Sequence, residues 1–365
     1  MRRQEPRRVV SGSMQGLRTS VYKAGLETLW LTGAHRALRP VFGGVGAILM
    51  LHHVRPASER EFAPNALLEV TPDYLESVIE RVRAEGFETV SLDEARRRLV
   101  AGSPDERPFV AFTFDDGYRD NAEFAWPILK RLGVPFAVYL PTAFIDQEGE
   151  LWWLVLEDTI RTQRSVTAQI AGRTVHFDCS TPVLKREAWR EIYWWLRSLP
   201  ETNLRAYVRE LACRHGLDFR DTCRRLCMTW DEVRALAADP LVTIGAHTVN
   251  HYMLAKFDSD TARAEMLGSR QRIEREIGRP VVHFAYPVGD PTSAGPREFA
   301  LAAACGFETA VTTRPGLVYG EHRDHLTALP RVSLNGEYQS LRYLDVLLSG
   351  APFAFFNRFR RVNAA

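Results

Sequence analysis

The 365-residue sequence is short of cysteine, of long apolar runs and of net charge. Each shortage closes a class of answers. Five cysteines (Cys179, Cys213, Cys223, Cys227, Cys305) are odd in number and scattered, so reduced thiols are expected rather than a disulfide framework. Cys223 and Cys227 stand four apart, but no second pair completes a zinc knuckle. No segment reaches the roughly 18–20 apolar residues of a membrane span; the longest apolar run, residues 41–51, holds three glycines. The basic start (Arg2, Arg3, Arg7, Arg8) is not followed by an apolar stretch with a cleavage site, so no secretory leader is read and a cytoplasmic location is expected. Lys+Arg at 47 against Asp+Glu at 45 leaves a net charge of +2, without the basic excess of a nucleic-acid binder. Apolar residues at 45% and charged residues at 25% suffice for a sizeable core. The length suits one large α/β domain or two modest ones.

Residues 1–20 are polar and read as loose. Leu26, Leu29, Trp30, Ala34 and Leu38 recur at helical spacing, which predicts one amphipathic helix over 21–38 stopped by Pro40. From residue 45 the pattern alternates strand and helix. Apolar runs at 47–51, 109–114, 136–140, 242–245, 281–286 and 309–312 read as buried strands, and helices are predicted over 72–85, 92–100, 121–132, 259–277 and 297–304. Thr71 caps the first of these, with Pro72 at its opening position. Repeated βα units mean a parallel sheet, open or closed into a barrel. The alternation is interrupted over about 147–228 by a segment rich in Trp and Arg, with a hairpin turning at 171–173 and helices over 186–199 and 204–215. The resulting division is an N-terminal basic segment and helix (1–44), a barrel (45–340) carrying this insertion, and a basic aromatic tail (341–365).

Three motifs follow strands, at the carboxyl ends where α/β folds place their sites. In Thr113-Phe-Asp-Asp-Gly117 two adjacent carboxylates can take two jobs, one binding a cation and one accepting a proton. Asp-Gly alone is mostly a turn signal. In His247-Thr-Val-Asn-His251 two histidines at i and i+4 would lie one helical turn apart and can grip one cation. No glutamate between them makes a zinc-protease motif. An aspartate with two histidines leaves an open position, the layout of a catalytic metal site. Phe284-Ala-Tyr-Pro-Val-Gly-Asp290 can present backbone N–H groups to an oxyanion, or be an ordinary βα turn.

The order TFDDG, H-T-x-x-H, F-x-x-P-x-G resembles the polysaccharide deacetylases (carbohydrate esterase family four, the NodB homology domain), of which chitooligosaccharide deacetylase is a member. The resemblance spans about 45–335 outside the insertion. Met50-Leu-His-His-Val54 is also similar to the first strand of the branch acting on poly-N-acetylglucosamine. The resemblance implies a distorted (β/α)7 barrel of the polysaccharide deacetylase type, here with a Trp-rich insertion. It also implies hydrolysis of an N-acetyl group on an amino sugar. Asp116, His247 and His251 would hold a divalent metal, Zn2+ by default, with Co2+ or Ni2+ also fitting such ligands. Asp115 would be the general base, and the Val288 N–H, in the Tyr286-Pro287-Val288 turn, would hold the oxyanion. The sequence departs from the family twice. Ala285 stands where members often carry an arginine that orients the catalytic aspartate, and a Leu-x-His whose histidine acts as the acid is missing from Leu329-Pro-Arg-Val-Ser333. Arg331 is the candidate for the lost charge; His325, His322 and His53 are candidates for the acid.

The insertion's tryptophans are expected as core of a small subdomain, with at most half on one surface. The basic aromatic tail suits peripheral contact with an anionic membrane, but a terminal helix docked on the barrel is preferred. The expected partner is an N-acetylated glycan or a lipid- or nucleotide-linked sugar, with no nucleic acid. Two rivals stand beside this reading: an amidase of the same fold acting on a non-sugar C–N bond without metal, and a non-catalytic carbohydrate-binding protein.

Overall fold

The computed structural model describes residues 12–102, 106–170 and 172–364, with side chains from residue 19 onward. Seven parallel strands close on themselves: β1 (Gly46–Leu51), β2 (Phe109–Phe114), β3 (Phe136–Leu140), β4 (Val242–Ala246), β5 (His283–Ala285), β6 (Thr309–Pro315) and β7 (Leu329–Ser333). Strand β1 closes the ring. It pairs along its whole length with β2, from Gly46 opposite Phe109 to Leu51 opposite Phe114, and on its other edge with β7. A short strand, Glu88–Thr89, adds to the outside of β2. The chain thus has the (β/α)7 barrel expected from the sequence. Strands β1, β2 and β3 are buried at every position, because helices cover the outside and side chains fill the inside.

Alternation divides each strand between these two layers. Ala47, Leu49 and Leu51 of β1, with Val110, Phe112 and Phe114 of β2, join the large core beneath the helices. Ile48, Phe109, Ala111, Tyr139, Val311 and Leu329 fill the barrel. This parity brings Met50, Thr113 and Arg331 to the inside as well, towards the carboxyl ends.

Segment 147–228 forms its own aromatic-rich core beside the barrel. Helix Trp152–Thr162 leads into the hairpin Ser165–Ile170 with Arg173–Asp178, then helices Pro182–Ser198, Glu201–Arg214 and Asp221–Leu226. Leu156, Ile160, Ile192, Leu196 and Leu204 are fully buried there. The five cysteines are free.

The N-terminal region departs from expectation. Instead of one helix over 21–38 after a loose start, there are two, Gly12–Leu31 and Ala34–Phe42. Gly33 separates them in the left-handed conformation, φ 69°, which glycine adopts without a Cβ clash. Pro40 lies inside the second helix rather than ending it, at the cost of one intrahelical hydrogen bond. The tail forms helices Leu341–Leu348 and Ala351–Phe356, docked through Leu344, Leu348 and Phe353. Among the described residues no helix is long and apolar enough to cross a membrane.

Candidate active site

The carboxyl ends of the strands open into a cavity of about 750 Å³, lined on one side by Met50, His52, Asp115, Asp116, His247 and His251. Both carboxylates are buried, and each arrives differently. Asp115 continues the inward parity of Ala111 and Thr113. Asp116 would point outward on a regular strand; it turns inward through a left-handed backbone, φ 72°. Gly117 follows at φ 63°, where an added Cβ would lie 2.8 Å from Leu140.

His247 and His251 are not a helical turn apart, as their spacing suggested. They lie on the loop after β4, with Thr248 and His251 at φ 66° and 57°. Positive φ at Asp116, Thr248, His251 and Val288 concentrates backbone strain at this site, the usual mark of a functional constraint. The loop is pinned from both sides. Glu265 accepts from the N–H groups of Val249 (3.0 Å) and Asn250 (2.8 Å), while Arg205 of the insertion donates to the carbonyls of Asn250 and His251. The His251 ring packs against Phe144 and Trp153, with centroids 5.6 and 5.0 Å away.

Three ligand atoms converge. Nε2 of His247 and of His251 lie 3.5 and 3.2 Å from Oδ1 of Asp116, and one ligand atom from each of the three residues falls within 4.8 Å of the others. The Nδ1 of His247 faces the Ala285 carbonyl at 2.7 Å, which places the proton there and leaves Nε2 with its lone pair. Asp116 Oδ1 is buried with no hydrogen-bond partner. Burial alone would raise the Asp116 carboxyl, but the neighbouring imidazoles hold it well below the usual carboxylate range; burial lowers His251. Acceptors facing acceptors in a buried site are costly unless a cation lies between them, so this donor set fits a divalent metal.

Asp115 is held by Arg331, whose Nη1 and Nη2 donate to its two oxygens at 2.7 and 2.6 Å. Arg331 is fully buried and also donates to Thr113 Oγ1 and the Thr312 carbonyl. Burial pushes the Asp115 carboxyl up, but the guanidinium outweighs it and keeps the group ionised. Ala285 packs inside the barrel, and the charge expected there enters from β7 instead.

The histidines proposed as acids lie elsewhere. His322 and His325 stand on the turn before β7, near the barrel's amino end. His322 is buried on Tyr319, and His325 is exposed. They precede the strand, whereas the site lies beyond strand ends. His53 is buried and bonded through Nδ1 to Asp120 at 2.6 Å, stacked on Tyr118, and does not line the cavity. Its neighbour His52 does, with Nε2 3.9 Å from Asp115 Oδ2. Burial pushes the His52 imidazole below its ordinary value, against the pull of Asp116 and Asp115. Strand parity could have found it: residues 48, 50 and 52 share the inward face.

Val288 lines the cavity, and among the described residues its N–H makes no hydrogen bond. Tyr286 and Pro287, read as neighbours of the oxyanion, do not. Tyr286 is core, packed on Phe284 and Phe299 with its hydroxyl donating to Thr327, and the Pro287 carbonyl accepts from Gly289 to close the turn. Trp152, Trp153, Trp189, Tyr193 and Trp194 also face the cavity, more of the insertion's aromatics than expected.

A seven-stranded barrel with an Asp-His-His cluster at its mouth defines a class, and comparison with known proteins agrees. The polysaccharide deacetylase profile matches residues 102–310, more than half the sequence, and the chain belongs to that family, whose members are hydrolases of carbon–nitrogen bonds other than peptide bonds. Bacillus subtilis YxkH, which carries a polysaccharide deacetylase name, is 28% identical over 93 residues, 26% of this chain; the match spans 30% of that relative's length. Among solved structures, the Streptococcus pyogenes deacetylase PplD in complex with acetate superposes with TM-score 0.54 at 18% identity, over 82% of this chain and 97% of that one. IcaB from Ammonifex degensii gives 0.51 at 16%, over 84% and 96%. At such identities the likeness concerns the fold.

Proposed function

We infer that the protein removes an N-acetyl group from an amino sugar of a polysaccharide or its precursor, with a divalent cation held by Asp116, His247 and His251. The observation that carries the reading is the orphaned Asp116 oxygen facing two imidazole nitrogens in a cavity with aromatic walls. Zinc is the default for such ligands, and cobalt or nickel would also be accepted. When bound, the cation supplies Lewis acidity, polarising the acetyl carbonyl and lowering the pKa of water.

The residues divide the remaining work. Asp115, ionised and fixed by two hydrogen bonds from Arg331, accepts a proton from the attacking water. The N–H of Val288 is available to the oxygen of the tetrahedral intermediate. His52 takes the place of the missing histidine and moves a proton to the departing amine. The tryptophans stack on sugar rings.

Acetate release from N-acetylglucosamine oligosaccharides, measured with metal analysis of the purified protein, tests this. We expect one divalent cation per chain and loss of acetate release in Asp115→Asn. Full activity in metal-free protein, or an Asp115→Asn variant as active as the wild type, would overturn the reading.

A further inference from the structure

The cavity extends past the Asp-His-His cluster along helix Pro182–Ser198. This helix turns Ala188, Ile192 and Leu196 into the insertion's core. Its other stripe, Arg186, Trp189, Arg190, Tyr193, Trp194 and Arg197, lines the cavity. The 3–4 residue spacing makes this one continuous face. The rings form a platform: Trp189 stacks on Tyr193 at 4.6 Å, and Tyr193 on Trp152 at 5.2 Å.

Donors outnumber acceptors along this wall. The indole N–H of Trp153, a residue only 7% exposed, is buried without a partner, as are Nε1 of Trp189 and Nε of Arg197. Among the described residues Arg190 has no hydrogen bond or ion pair. Arg186 donates only to the Glu61 carbonyl. Arg197 donates to Asp290 at 3.2 Å. Glu187 and Glu191 of the same helix are exposed and do not line the cavity; Glu201 does, pairing through Oε1 with Arg205 while its Oε2 is buried without a partner. Unpartnered buried donors are costly in the free protein, and guanidinium groups match oxyanions in particular.

We propose that this wall is a specificity subsite for an anionic group, phosphate or carboxylate, carried by the glycan next to the residue that is deacetylated. The substrate is then an acidic glycan or a phosphorylated amino sugar rather than a neutral homopolymer. The aromatic platform takes the sugar face, and Arg190, with Arg186 and Arg197 on either side, takes the charge. The subsite deepens the deacetylase reading and rests on it for the word substrate, but anion binding can be measured without turnover.

The test titrates tryptophan fluorescence of the full-length protein with three probes: N-acetylglucosamine 1-phosphate, a hyaluronan tetrasaccharide carrying uronate, and neutral chitotetraose. At least one charged probe is expected to bind about tenfold or more tightly than chitotetraose, and to weaken with salt. Arg190→Gln should cost that probe about tenfold or more, and Arg190→Lys should restore part of the loss. Arg190 is half-exposed and unpaired, so both variants should melt like the wild type, which circular dichroism checks. The better charged probe names the source of the anion. Equal binding of all three, or an Arg190→Gln variant that binds the charged probes unchanged, would overturn the proposal. Loss of charged-probe binding in Arg190→Gln without acetate release from any glycan would sink the deacetylase reading and leave the subsite standing. Deacetylation of chitotetraose with no advantage for a charged probe would do the reverse.

Discussion

Arg331 grips both oxygens of Asp115 although the two residues stand 216 positions apart in the sequence. The fork fixes the plane of the carboxylate as well as its charge. Removing one partner leaves a buried charge uncompensated, at about 3–5 kcal/mol. Arg331→Met should therefore lose stability of that order in urea unfolding. It should also lower kcat on the order of 100-fold, as a carboxylate displaced by about 1 Å would. Arg331→Lys should recover less than half of either loss on a logarithmic scale, since an ammonium cannot form the fork.

His52 and His53 should behave oppositely. His52→Gln removes the imidazole facing Asp115, and kcat should fall about 10²–10⁴-fold with little change in melting temperature. His53→Gln breaks the bond to Asp120 and the stack on Tyr118, so it should cost about 1–3 kcal/mol of stability while the folded fraction keeps its kcat. Reversed phenotypes would return the acid to His53.

Cation binding should be visible without turnover. Adding Zn2+ to chelator-treated protein should raise its melting temperature in proportion to the logarithm of concentration. Asp116→Asn should abolish that rise. Differential scanning fluorimetry of the two proteins decides it.

The stability of the barrel should fall in mild acid through His322. Burial pushes this imidazole down to about 4, and its Nδ1 accepts from the Tyr319 N–H at 3.0 Å, which requires the neutral form. The unfolded chain binds the proton near the ordinary value of about 6.5. The contribution is thus intact above pH 6.5 and is lost as pH drops towards 4, on the order of 3 kcal/mol. His322→Asn keeps an acceptor at that place and cannot titrate. Its denaturation midpoints at pH 7 and pH 4.5 should lie closer together than those of the wild type.

The barrel was legible in the sequence because its strands are short apolar runs bounded by glycine and proline, and that signal is local. The Asp116, His247 and His251 cluster was legible because each residue follows such a run. Geometry within the motifs was less so. The i, i+4 spacing of the histidines implied a helix, whereas Glu265 and Arg205 hold them on a strained loop, and no local pattern announces a distant pin. Arg331 was legible from charge balance, because Asp115 needs a counter-charge that Ala285 cannot supply. His52 stands one residue before His53, and two-residue alternation assigns it the inward face from β1 alone. In the N-terminal region Pro40 is the stronger stop signal on paper, but a proline late in a helix forfeits one bond while the left-handed Gly33 redirects the chain.

The closure of β1 against both β2 and β7 has a kinetic side. Strand β2 is some sixty residues from β1, and β7 nearly three hundred. Pairings so distant are slow to form, because loop entropy is lost before contacts repay it. On a chain emerging from the ribosome, β1 keeps one open edge until β7 appears, and Asp115 waits without its counter-charge for the same span. The insertion, whose contacts are mostly among its own eighty residues, has no such delay. The strand that seals the barrel also brings Arg331, so Asp115 gains its partner in the same event that closes the fold.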